Sequence, residues 1–215
     1  MEKKVASGQQ LILITGTILG WFAVGLQLYL IILNRVASIP ETLIRFFSFY
    51  TILSNILVAF SFSFLWFKSN SKLSSFFTNR KILTAITVYI TIVGLVYNTI
   101  LRFLWNPIGL QYLVDELLHT LIPILFIIHW LVYVDKKQLV YKDVIIWQVF
   151  PLVYLTFILI RGSISNYYPY PFLDVNTIGY NKVFINTIVL CLVFIFISVF
   201  FVWISKITTQ KIKKD

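Results

Sequence analysis

The spacing of charged residues constrains this chain more than any other feature. Six stretches carry no Asp, Glu, Lys or Arg. They are bounded by Lys4 and Arg35, Arg45 and Lys68, Lys81 and Arg102, Glu116 and Asp135, Asp143 and Arg161, and Lys182 and Lys206. Crossing the hydrocarbon of a bilayer as a helix takes about 20 mostly apolar residues. Each window therefore predicts one transmembrane helix, near residues 11–33, 44–67, 82–104, 113–134, 144–161 and 182–205. The fourth and fifth windows are short, so those helices are expected to use flanking residues or to tilt little. With 59% hydrophobic and 12% charged residues among 215, the chain has too little polar surface to enclose a soluble core. The expectation is an all-α polytopic membrane protein, a bundle of six helices forming one domain over residues 1–215. The apolar run after Met1–Lys4 is too long for a signal peptide and lacks a small-residue cleavage site, so it reads as a retained first helix.

Six spans put both termini on one side, and basic residues choose the side. Lys3, Lys4, Lys68, Lys72, Arg80, Lys81, Lys136, Lys137, Lys142, Lys206, Lys211, Lys213 and Lys214 fall on the face that carries the termini. That is 13 of the 18 Lys and Arg, against Arg35, Arg45, Arg102, Arg161 and Lys182 on the other face. Both termini are predicted to be cytoplasmic, in the cell membrane. The net charge of +10 thus serves topology, and nucleic acid is excluded as a partner; membrane lipids are the expected one. Trp66, Trp130, Trp147 and Trp203 near inner helix ends, with Trp105 near an outer one, fit an aromatic belt. The single Cys191 lies in an apolar run and forms no disulfide framework.

Against this background His119 stands out. An ionisable group inside a membrane span is costly unless it is paired or faces a cavity, which makes it a functional candidate. Asp115 and Glu116 precede it by about one turn, and Pro123 follows as a kink that opens space beneath it. A second polar stripe, Ser48, Thr51 and Asn55, starts on the second helix from the same predicted outer face. A third, Thr91, Gly94, Asn98 and Arg102, ends there. Thr51 and His119 are therefore expected at compatible depths and in contact.

A hydroxyl beside an imidazole is the pattern of nucleophilic catalysis, since His can take the proton that keeps an alcohol unreactive. Asp115 or Glu116 could orient the ring through its other nitrogen. Asn55, Asn98 or a backbone amide could stabilise an oxyanion, and Arg102 or Arg161 could pair with an anionic head group or carboxylate. His129, beside Trp130, reads as interfacial. The outer connection Gly162 to Asn181 is long enough to be a lid or binding loop, and Pro169 and Pro171 favour an extended path through it. No metal or other cofactor is expected. Haem would need histidines on two facing helices, whereas both lie on one; an HExxH-like zinc cluster, a phosphate loop and a nucleophile-elbow serine are all missing.

Three patches carry a resemblance: Phe49, Tyr50, Thr51 with Ser54 and Asn55; Leu118, His119, Thr120 and Pro123; and Tyr170, Pro171, Phe172, Leu173 and Asp174. Together they resemble the signature patches of the androgen-induced and androgen-dependent multi-pass membrane proteins, and more closely the bacterial branch labelled Pr-six-Pr. Eukaryotic members are described as threonine hydrolases of fatty acid esters of hydroxy fatty acids. The resemblance implies Thr51 as nucleophile, His119 as essential histidine, a fatty acid ester substrate, and a role for the patch of Tyr170 and Asp174. Ser54 and Asn55 stand where the eukaryotic pattern continues to an Asp, which leaves the substrate class open. The function expected is thus an intramembrane threonine-type hydrolase of lipid esters. The alternative is a non-enzymatic transporter or lipid-binding protein that uses the same polar cluster.

Overall fold

The computed structural model describes residues 2–212; Lys213 and Lys214, counted above among the topology-setting cations, lie outside the described residues. Among the described residues there is no strand. Ten α-helices follow one another: α1 (Glu2–Leu33), α2 (Ile39–Phe47), α3 (Tyr50–Phe67), α4 (Lys72–Phe77), α5 (Arg80–Thr99), α6 (Gly109–Glu116), α7 (Ile122–Tyr133), α8 (Asp143–Trp147), α9 (Val149–Ser165) and α10 (Val175–Ile212). Among the described residues six segments are long and apolar enough to cross a membrane: Ser7–Leu33, Tyr50–Phe67, Arg80–Phe103, Gly109–Tyr133, Asp143–Ser165 and Val175–Thr209. Each matches one charge-free window. The hydroxyls inside them mostly return to the carbonyl four residues back, as Thr17, Thr87, Thr91 and Ser61 do, which satisfies them where no water is at hand.

The windows and the helices differ in three places. The expected second helix, 44–67, is broken at Ser48 and Phe49: Ser48 N–H closes a tight turn onto Arg45 O, and Phe49 is extended (φ −83°, ψ 123°). Pro40 starts the separate α2 early, at a position where its missing N–H costs nothing. Thr51 therefore lies in the first turn of α3, not deep in a continuous rod. The fourth span is interrupted by a π-helical turn, Leu117–Leu121. The last helix begins at Val175 and bends at Gly179, whose φ of 76° and ψ of 161° break the helical path.

Contacts gather into two compact units, one ending at Asp135 and one starting at Lys136. In the first unit, small residues let helices approach. A Cβ on Gly16 would lie 2.5 Å from the Phe62 ring and one on Gly20 3.0 Å from Ala59 Cβ, so α1 and α3 meet through glycines spaced one turn apart. Phe62 packs edge-on to Phe126, their centroids 5.0 Å apart. Trp130 is fully buried and donates its Nε1–H to Thr84 Oγ1 at 2.9 Å, joining α7 to α5. It is a core residue and not part of an interfacial belt; Trp147 is likewise buried. Arg80 and Asp135 pair at 2.8 Å across the ends of the same two elements.

In the second unit, Gln148, between α8 and α9, donates to Ser198 Oγ of α10 at 3.2 Å. The connection after α9 is shorter than expected, because α9 continues to Ser165 and α10 starts at Val175. The Tyr168 ring lies where a Cβ on Gly162 would be, 2.0 Å from its Cε1. Tyr170 is extended as expected, but Pro171–Leu173 forms a 3-10 turn, with Pro171 at a helix start that needs no N–H. Asn186 of α10 donates to Phe172 O at 2.9 Å and pins this turn.

Candidate functional site

The site is built around a backbone irregularity. In the π turn the amide of Ile122 donates to Leu117 O, five residues back. Continuing that register, Leu118 O would look to residue 123; in α register His119 O would look to the same residue. Residue 123 is Pro123, which has no N–H. Two consecutive carbonyls, those of Leu118 and His119, thus face a proline that cannot serve either. Each is met by an asparagine from another span. Asn55 Nδ2 on α3 donates to Leu118 O at 3.1 Å, and Asn98 Nδ2 on α5 donates to His119 O at 3.2 Å.

Both asparagines spend their second amide proton on their own helix. Asn55 donates to Thr51 O at 2.9 Å, and Asn98 to Gly94 O at 2.8 Å. Four carbonyl acceptors fix which end of each amide faces them, since an amide oxygen there would repel them. The NH2 groups of Asn55 and Asn98 are thereby committed to backbone. Neither is placed to donate to an oxyanion, which leaves the backbone amide among the options read from the sequence. Asn55 Oδ1 and the adjacent Ser54 Oγ are buried and have no partner among the described residues.

Gly94 completes the approach of α5. A Cβ there would lie 3.2 Å from His119 O and 3.4 Å from Pro123 Cβ, so the stripe Thr91, Gly94, Asn98 and Arg102 presents its smallest member to the turn. Tyr97 stacks its ring on the imidazole of His119, centroids 3.9 Å apart and planes 12° off parallel. It was not identified from the sequence; as the neighbour of Asn98 on a helix pressed against the turn, it could have been.

The imidazole is oriented by a carbonyl. His119 Nδ1 lies 2.9 Å from Asp115 O, and a carbonyl only accepts, so Nδ1 carries the proton. In the neutral ring Nε2 then holds the lone pair, and among the described residues it has no hydrogen-bond partner. The carboxylates proposed as orienters are engaged elsewhere. Asp115 Oδ2 accepts from Trp105 Nε1 at 2.6 Å, and Oδ1 accepts from Gln111 Nε2 at 3.1 Å. Gln111 also donates to Gln27 Oε1 of α1 at 3.0 Å. Glu116 pairs with Arg102, whose Nη2 also donates to Thr120 Oγ1 at 3.3 Å. The Arg102 guanidinium lies 5.4 Å from the Tyr97 centroid, so Tyr97 links the ion pair to the imidazole.

Thr51 is 7% exposed and sits one turn before Asn55 on α3. The Asn55 bond to Leu118 O joins its helix to the residue preceding His119. Thus Asn55, Asn98, Arg102, Asp115, Glu116 and His119 form one bonded cluster that includes the start of the Thr51 helix. The three remaining candidates belong to the second unit. Arg161 lies over the Tyr167 ring at 5.2 Å. Tyr170 stacks on Phe172 at 5.2 Å. Asp174 Oδ1 accepts from Asn176 N–H at 3.0 Å, capping the first turn of α10.

His129 is enclosed by other side chains. It is 1% exposed, its ring 5.6 Å from Phe62 and 5.8 Å from Tyr133. Among the described residues no group of three or more His, Cys, Asp or Glu could hold a metal ion. Comparison with protein-family models, with curated proteins and with solved structures finds no match for this chain.

Proposed function

We propose that the protein is a hydrolase of lipid esters working within the cell membrane, with both termini cytoplasmic and the site toward the outer face. Thr51 is the nucleophile and His119 the general base. The observation that carries this reading is the Nδ1–H to Asp115 O bond, which leaves Nε2 as the lone-pair nitrogen a general base needs. That the ring sits in a π turn, an element that recurs at functional sites, and is tied through Asn55 to the Thr51 helix supports it further. The resemblance of the Thr51 and His119 patches to the androgen-induced and androgen-dependent membrane proteins, and to their bacterial branch, points the same way.

In the reaction, Thr51 Oγ1 attacks the ester carbonyl while its proton passes to His119 Nε2. The tetrahedral intermediate collapses, the alcohol leaves with that proton, and an acyl-threonine remains. Water, deprotonated by the same nitrogen, then releases the fatty acid and restores the hydroxyl. An ester substrate reaches the site laterally from lipid. The test is turnover of a panel of long-chain fatty acid esters by the purified protein in detergent or nanodiscs. Hydrolysis that Thr51→Ala and His119→Ala abolish is expected. No turnover by the wild type, together with His119-dependent proton-coupled uptake in vesicles, would favour the transporter instead.

A further inference from the structure

Two amides from two different spans converge on the consecutive carbonyls that Pro123 leaves without a donor, and they do so at the residue before His119 and at His119 itself. A single such bond would be ordinary membrane-helix packing, in which Asn commonly bridges neighbouring helices. Two on adjacent residues amount to a fastening of the turn. The bonds set where the extra residue of the π turn falls. Were the turn to slip by one residue, side chains on it would rotate by roughly 100° about the helix axis, taking the imidazole off Tyr97 and away from Asp115 O.

We propose that Asn55 and Asn98 are positioning residues for His119: by holding Leu118 O and His119 O they lock the π register that stacks the imidazole on Tyr97 and turns Nε2 toward the site. The proposal rests on the hydrolase reading for its catalytic consequence, but its structural content stands apart from it. Asn55 has no exposure at all and joins Thr51 O to Leu118 O, so one side chain couples the backbone of the nucleophile to that of the base. Asn98 does the same between Gly94 O and His119 O.

The test is nitrogen NMR of the full-length protein labelled with 15N-histidine, read beside fluorophosphonate labelling. The chain has two histidines, and His119→Gln assigns the signals. The wild type should show His119 in the Nδ1–H tautomer. Asn55→Leu and Asn98→Leu should convert that signal to a mixture of tautomers and slow labelling by up to about a hundredfold, the scale expected when a base is misplaced by an ångström. Thr91→Val, on the same stripe but bonded only to its own Thr87 O, should change neither. Asn98 is only part-buried, so Asn98→Leu and the isosteric Asn98→Asp carry the test if Asn55→Leu does not fold. A wild-type tautomer signal in folded Asn98→Leu and Asn98→Asp would overturn the proposal, whatever the labelling. Absence of wild-type labelling with the tautomer shifts present would instead retire the hydrolase reading and leave the fastening in place.

Discussion

Two histidines ten residues apart on one span have opposite surroundings. His129 is packed among Phe62, Phe126 and Tyr133, in a helix whose backbone is regular. His119 lies in a π turn where two carbonyls need outside donors, one ring nitrogen faces a carbonyl, and polar side chains arrive from α1, α3 and α5. His129 is fully enclosed and His119 only half-buried, so depth of burial does not single out the histidine of the polar cluster. The distinction lies in the backbone: a helix that gives up its own hydrogen bonds and recruits two other spans to replace them is maintaining a geometry that a regular helix would not provide.

The largest expected effect separates the two histidines outright. His119→Ala and Thr51→Ala should each lower ester hydrolysis by roughly three orders of magnitude with unfolding little changed, as removal of a base or nucleophile does. His129→Ala should leave the folded protein active and lower stability by on the order of 3 kcal/mol, because it opens a hole among Phe62, Phe126 and Tyr133. Thermal unfolding in detergent alongside turnover reads both. Equal loss of activity in the two variants would erase the contrast.

Next in size is the contrast between two glycines. Gly94→Ala presses a Cβ to 3.2 Å from His119 O and should slow hydrolysis about tenfold by displacing the turn. Gly16→Ala, whose Cβ would meet the Phe62 ring at 2.5 Å, should cost more stability, roughly 1–3 kcal/mol, with less effect on turnover per folded molecule. Turnover normalised to folded protein decides between them.

The smallest expected effect concerns the acids. Asp115→Asn should change hydrolysis by less than about threefold, since the imidazole is oriented by the carbonyl of residue 115 and an amide oxygen can still accept from Trp105. A loss approaching that of His119→Ala would mean that the carboxylate itself orients the ring in the working enzyme.

How much of this was legible in the sequence depends on the kind of interaction. Charge spacing located all six spans, because lipid excludes charge over a fixed length whatever the packing. The stripes on the second, third and fourth spans correctly brought Asn55, Asn98 and Arg102 to the His119 cluster. What charge spacing misses is backbone detail. Nothing in the apolar run 44–67 announces the break at Ser48 and Phe49, which turns Thr51 into a first-turn residue. The role of the asparagines was recoverable, since Pro123 four residues after His119 guarantees an unserved carbonyl there. Side chains alone suggest oxyanion donors; the backbone around Pro123 shows what the two amides serve. The distance of His129 along the chain to the predicted boundary says little about what packs around it. Arg161, Tyr170 and Asp174 fall in the second unit, where Arg161 lies over Tyr167, Tyr170 stacks on Phe172 and Asp174 accepts from Asn176 N–H.

The most direct measurement is the position of the covalent adduct. Purified protein treated with a fluorophosphonate, digested and sequenced by mass spectrometry should carry the phosphonyl group on Thr51, and none should form in His119→Ala. An adduct on any other hydroxyl, or an undiminished one in His119→Ala, would contradict a threonine nucleophile served by the histidine of the π turn.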